Sequence, residues 1–167
     1  LYYNTTGTQN MAYGHYALAS NQSGGYNVAI GNNSLNTNYS GSYNVAVGHN
    51  SLNQNYSGNY NSAFGANAIQ FGTGSQNSAV GYAAMYAVTG INNSAFGFDS
   101  AYNLKGGNNN AAVGAYSLFK TGPGSQNTAI GYEALYGNTS GINNVAIGYD
   151  ALYGSSTGSA NIGIGAQ

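Results

Sequence analysis

The chain of 167 residues has no cysteine, no tryptophan and a single proline, and only Lys105, Lys120, Asp99, Glu133 and Asp150 carry charge. Charged residues usually make up about a quarter of a chain. Without cysteine there are no disulfides and no thiolate metal sites, although the compartment stays open. Without a basic patch, binding to nucleic acid is excluded, because that affinity comes largely from Lys and Arg on phosphates. Polybasic attachment to anionic lipid is excluded for the same reason. The longest apolar run, near Ala83 to Val88, is far short of the roughly 18 residues of a membrane span, so no membrane insertion is expected. No initiator methionine or signal peptide is visible, and the chain starts and stops in mid-phrase, as a piece of a longer array would.

What the chain does have is a repeat. The phrase Asn-x-Ala-apolar-Gly begins at Asn10, Asn27, Asn44, Asn61, Asn77, Asn93, Asn110, Asn127, Asn144 and Asn161, a period of 17 that shortens twice to 16. So strict a period marks a stacked architecture, and residues 1–167 read as one array of units, not as globular domains.

We number each unit from its Asn as position zero. Position two is Ala, or Gly163 in the last unit, position three is bulky, and position four is Gly. This small and large alternation predicts a short β-strand. Position eight supplies a second apolar ridge, Leu18, Leu35, Leu52, Ile69, Met85, Ala101, Leu118, Leu135 and Leu152. A polar stretch then closes on a glycine, which is turn chemistry. A pair of helices does not fit in so short a unit punctuated in this way. The expected fold is all-β, a parallel β-solenoid of about ten stacked coils, roughly 48 Å long at the usual strand spacing. The two short units lose their residue between positions eight and thirteen, where a loop absorbs it.

The Ala and Gly side of the strand implies close approach of another backbone. Either the opposite wall of the coil or a neighbouring chain would provide it. The scarcity of charge, which otherwise keeps chains apart, favours the neighbouring chain.

The repeated Asn residues are expected to form a structural ladder of amides hydrogen-bonded from coil to coil. His15 and His49 share position five two units apart, about 9.6 Å along a stacked rod, too far for one metal ion to bridge. Glu133 and Asp150 share position six on adjacent coils at about 4.8 Å, close to the separation of a retaining glycosidase pair. A rod has no cleft to raise one pKa and exclude water, and the glycine-aspartate signature of calcium-binding solenoids is missing. Neither catalysis nor a metal or cofactor is therefore expected. Tyrosines are the candidate ligand contacts: Tyr26, Tyr43 and Tyr60 just before the Asn, Tyr39 and Tyr56 in the turns, and Tyr86, Tyr102, Tyr136 and Tyr153 at position nine, a column that Phe119 continues. Such columns either stack on one another and stiffen the rod or offer flat apolar faces to sugars and proteins.

The phrase N-x-A-[IV]-G resembles the head repeats of trimeric autotransporter adhesins. The stretch from Asn127 to Tyr136, N-T-A-I-G-Y-E-A-L-Y, is still more similar to repeats of phage tail-fibre and related surface-fibre proteins. The resemblance runs the length of the chain, although the adhesin heads have a shorter period. It implies a left-handed parallel β-roll, three chains side by side, an extracellular position on a cell surface or virion fibre, and attachment to host glycans or proteins. Two other roles fit a low-charge rod: a self-assembling extracellular filament, and an ice-binding solenoid, for which a regular Thr row is missing.

Overall fold

The computed structural model describes residues 1–167 and contains no helix. The strands are β1 (Met11–Tyr13), β2 (Val28–Ile30), β3 (Val45–Val47), β4 (Ser62–Phe64), β5 (Phe71–Gly72), β6 (Ser78–Val80) and β7 (Ala87–Val88). They continue as β8 (Ser94–Phe96), β9 (Asn103–Leu104), β10 (Ala111–Val113), β11 (Thr128–Ile130), β12 (Val145–Ile147) and β13 (Ile162–Ile164). The strand of each Asn phrase pairs in parallel with the same strand of the next unit, so that Ala29 lies beside Ala46 and Ala46 beside Ala63. The result is a parallel β-solenoid whose main wall is a 10-stranded sheet in the order β1-β2-β3-β4-β6-β8-β10-β11-β12-β13.

Pairing does not stop at the strands. Of 98 backbone hydrogen bonds, 79 lie outside the regular strand ladders, and most of these also join one coil to the next, such as Leu35 N–H to the Ser51 carbonyl at 2.9 Å. Nearly the whole circumference of each coil is therefore satisfied by its neighbours, which is how a chain without helices meets the demand of its buried amides.

So short a coil must turn sharply several times, and three non-glycine positions per unit take the left-handed conformation: the residue before the Asn, position six and position eight. Position eight is the costly one. Leu35, Leu52 and Met85 sit at φ of 47°, 49° and 49°, and β-branched Ile69 at 47°. Left-handed backbone costs an L-residue about 1–2 kcal/mol. Each of these side chains is fully buried, however, and burial of a Leu is worth about 1.5–3 kcal/mol. Burial wins, and the ridge forms the central row of the core.

The alanines of position two complete that core from the main wall. Ala29, Ala46, Ala63 and their equivalents up to Ala146 are 0% exposed. A Cβ added at Gly163 would lie 2.7 Å from Leu152 Cγ, which shows how thin the coil is between the strand and the Leu row. This corrects the expectation that the small face meets a neighbouring chain: the opposite interior of the same coil uses it. The bulky residues of position three are turned outward instead, with Phe96 44% exposed. Glycine at position four is required twice over. Gly31 has φ +129°, and a Cβ there would lie 2.6 Å from the Gly48 carbonyl oxygen of the next coil.

The far wall changes character along the rod. Position eleven is Asn4, Asn21, Asn38 and Asn55, then Gly72, Val88 and Leu104, then Thr121 and Asn138. The first four form a second amide column, with Asn38 Nδ2 donating to Asn21 Oδ1 at 2.7 Å and Asn55 Nδ2 to Asn38 Oδ1 at 2.8 Å. Where apolar residues replace Asn, the wall becomes a 3-stranded sheet, β5-β7-β9. The two shortened units lie here, and their missing residue falls at the bend after position eleven: Tyr56–Ser57 in one coil is answered by Thr73 alone in the next.

Candidate functional site

The repeated Asn side chains face the interior. Asn27, Asn44, Asn93 and Asn127 are essentially inaccessible, so they offer nothing to a ligand. Each side-chain oxygen accepts the backbone N–H of the next Asn, as from Asn110 to Asn93 at 2.9 Å, and commonly its Nδ2 as well, at 3.1 Å. The same Nδ2 donates to the glycine carbonyl at the end of its own unit, as from Asn110 to Gly124 at 2.9 Å. Around the shortened units the amide-to-amide link lapses at Asn61 and Asn77, where Nδ2 donates to Gly74 and Gly90 while the backbone link persists.

The outer surface is aromatic. Tyr26, Tyr43 and Tyr60 stack with centroids 4.8 and 5.1 Å apart and planes within 6° of parallel. All three sit in left-handed backbone, with φ of 60°, 60° and 59°. Tyr39 and Tyr56 form a looser pair, 5.4 Å apart and tilted by 38°, and the Tyr56 hydroxyl donates to Gln54 Oε1 at 3.2 Å. The longest column runs Tyr86, Tyr102, Phe119, Tyr136 and Tyr153 at steps of 4.8, 5.2, 5.1 and 5.0 Å. Stacking has a direct consequence for recognition. Tyr43, Tyr102 and Tyr136 have both ring faces covered by neighbours, so a ligand meets their edges and hydroxyls. Faces are available only where a column ends.

A third column was not singled out in the sequence. Position five carries Tyr82 and Phe98, stacked at 5.2 Å, and Tyr132 and Tyr149, stacked at 5.3 Å. Ala115 interrupts it, and Tyr116 from position six fills the gap, edge-on to Phe98, Tyr132 and Phe119. Position five also holds His15, Asn32, His49, Ala66 and Ala115, so its aromatic residues make no unbroken row in the sequence. His15 Nδ1 lies 3.4 Å from Asn32 Nδ2 on the intervening coil, and no group of three metal-ligating side chains exists in the chain.

The carboxylates of position six are half-buried. Asp99 Oδ1 and Asp150 Oδ1 are buried without a hydrogen-bond partner. Burial pushes the Asp99 carboxyl above its ordinary value, and burial followed by the charge of Glu133 does the same for Asp150. A hydrogen bond to the Glu133 carboxylate, then burial, pushes the Tyr132 hydroxyl up to about 12. None of the surface cavities is lined by Asp99, Glu133 or Asp150.

The outward residues of position three make an apolar stripe along the main wall, which position one widens only towards the ends, at Val28, Val45 and Val145, since it is Ser62, Ser78, Ser94, Ala111 and Thr128 in between. Val28, Ile30, Val45, Val47, Phe96 and Ile130 are half-buried to exposed, and nothing within the chain covers them. No helix is long and apolar enough to cross a membrane. No family model matches the chain, and no curated protein or solved structure matches it significantly.

Proposed function

We propose that the chain is a segment of a non-enzymatic surface fibre. It would act as a rigid rod lying side by side with two further copies outside the cell, with its aromatic, Asn- and Ser-rich flanks free to attach to host glycans or proteins. The observation that carries this reading is the apolar stripe of position three. Covering it is worth roughly 1 kcal/mol for each half-exposed Val, Ile or Phe, and the position-three column runs the length of the main wall. A copy of the same chain, aligned in parallel, presents the same column at the same spacing, and so few charges leave little repulsion to overcome. The resemblance at Asn-x-Ala-[Ile/Val]-Gly favours three copies over two.

Sedimentation equilibrium in native buffer tests the assembly. A particle of three times 17.0 kDa supports it, and a mass of 17.0 kDa overturns it. Attachment is tested separately, by binding of labelled protein to cells and to an array of glycans. Absence of binding to all of them overturns the attachment role.

A further inference from the structure

The only two cations of the side chains, Lys105 and Lys120, line the same groove. It is an open recess of about 730 Å³ beside the sheet formed by β5, β7 and β9. Position ten in successive coils reads Phe71, Ala87, Asn103 and Lys120, so the small Ala87 leaves a dent between larger neighbours. The Tyr86, Tyr102 and Phe119 column forms one side, with a step of 4.8 to 5.2 Å, about the length of one pyranose ring. Phe71 is turned 80° from Tyr86 and so ends the stack, and no stacked ring covers either of its faces.

From this geometry we infer that the groove binds a saccharide carrying an acid group. The inference rests on the attachment role proposed above and names its ligand class. The ring's apolar C–H face lies on Phe71 and the edges of Tyr86 and Tyr102, and the acid group lies against the two ammonium groups. No carboxylate lines the groove, so their charge is not spent internally. Lys120 Nζ lies 5.1 Å from the centroid of the Tyr136 ring. Asn103 and Thr139 bring an amide and a hydroxyl to the same recess, where they meet sugar hydroxyls. Burial, followed by the charges of Tyr86 and Asp99, raises the Tyr102 hydroxyl above its ordinary value. A neutral sugar satisfies the aromatic wall alone. An acidic peptide satisfies the lysines but lacks the flat C–H face.

The test is a titration of the whole chain with sialyllactose and with lactose, followed by NMR of the aromatic rings and repeated on K105M/K120M. Both lysines are exposed, and the substitution keeps their apolar stems, so circular dichroism should be unchanged. The expected result is that sialyllactose binds about tenfold more tightly than lactose, the gain of two exposed charge contacts, and that the double variant loses this preference. The acidic sugar should also weaken as salt is raised. Displacement by a sulfated disaccharide supports the site with sulfate as the source of the acid group. Equal binding of sialyllactose and lactose, sialyllactose binding unchanged in K105M/K120M, or tighter binding of a glutamate peptide overturns the proposal. Cell attachment that survives K105M/K120M removes this site and leaves the attachment role standing, whereas absence of attachment in the unsubstituted chain removes both.

Discussion

The side-chain oxygen of Asn27 accepts two hydrogen bonds from Asn44, one from its backbone N–H at 2.9 Å and one from Nδ2 at 3.1 Å. Asn44 passes the arrangement on, since its own Oδ1 accepts the Asn61 N–H at 2.9 Å and its Nδ2 also donates to the Gly58 carbonyl at 2.9 Å. Asn44→Ala orphans the Asn61 N–H in a dry interior, and it takes one of two donors from the Asn27 oxygen, which keeps the backbone N–H, and one of two from the Gly58 carbonyl, which keeps Asn55 Nδ2. We expect a loss of about 2 kcal/mol, from one orphaned buried donor at about 1–3 kcal/mol. Urea denaturation would read it as a lower midpoint, and a loss below about 1 kcal/mol would show the column to be dispensable.

Thr121 stands at position eleven beyond the apolar residues that end the second amide column, and its Oγ1 is buried with no partner. Thr121→Val keeps the shape and deletes the orphan hydroxyl. Stability should rise by about 1 kcal/mol, visible as a higher urea midpoint, whereas a fall would mean that the hydroxyl has a partner such as ordered water.

Tyr43 sits between Tyr26 and Tyr60 with φ 60°. Tyr43→Ala gives up both stacks, about 0.5–1.5 kcal/mol each, and keeps the backbone penalty. Tyr43→Asn gives up the same stacks but suits the left-handed backbone, as Asn92, Asn109 and Asn143 do at the equivalent position. The Asn variant should therefore unfold at higher urea than the Ala variant by about 1 kcal/mol equivalent. Identical midpoints would show that the backbone conformation carries no penalty here.

Asp99 has a carboxyl raised by burial above the ordinary 3.8. A group with a higher pKa in the folded chain binds its proton more tightly there, so folding is favoured by protonation. Stability should fall as pH rises through the window that opens at 3.8 and closes at the raised folded value. Asp99→Asn should raise the melting temperature at pH 7 and have little effect below the window. A melting temperature in the parent chain that does not change across this window would contradict the assignment.

Phe96 and Ile130 point outward from the main wall, two coils apart. Phe96→Lys with Ile130→Lys leaves the Ala and Leu core untouched, so the far-ultraviolet spectrum should be preserved. If the stripe is the contact between copies, sedimentation should shift from the assembled mass to 17.0 kDa. An assembled mass that survives both lysines would place the contact elsewhere.

A good deal of this was legible in the sequence. The period, the parallel stacking of strands around each Ala, the location of the length change in a bend and the row of interior amides all follow from repetition: when one position recurs once in every coil, its side chains must meet themselves in a stacked rod. The tyrosine columns at the position before the Asn and at position nine were legible on the same ground. The position-five column was not, because its aromatics are mixed with His, Asn and Ala and its gap is filled by Tyr116 from the next position.

The sequence by itself determined that each unit has two apolar faces and a row of Asn between coils. Only the tertiary structure decided which face is inside. Alternation distinguishes the two sides of a strand but does not rank Ala against Val, Ile or Phe, since all are apolar. The choice was made by the width of the coil, where a Leu held in left-handed backbone fills the centre and leaves room for nothing larger than Ala opposite. Stacking of the rings and convergence of Lys105 and Lys120 on one groove were decided there too. Both depend on where neighbouring coils aim their side chains, which no single unit records.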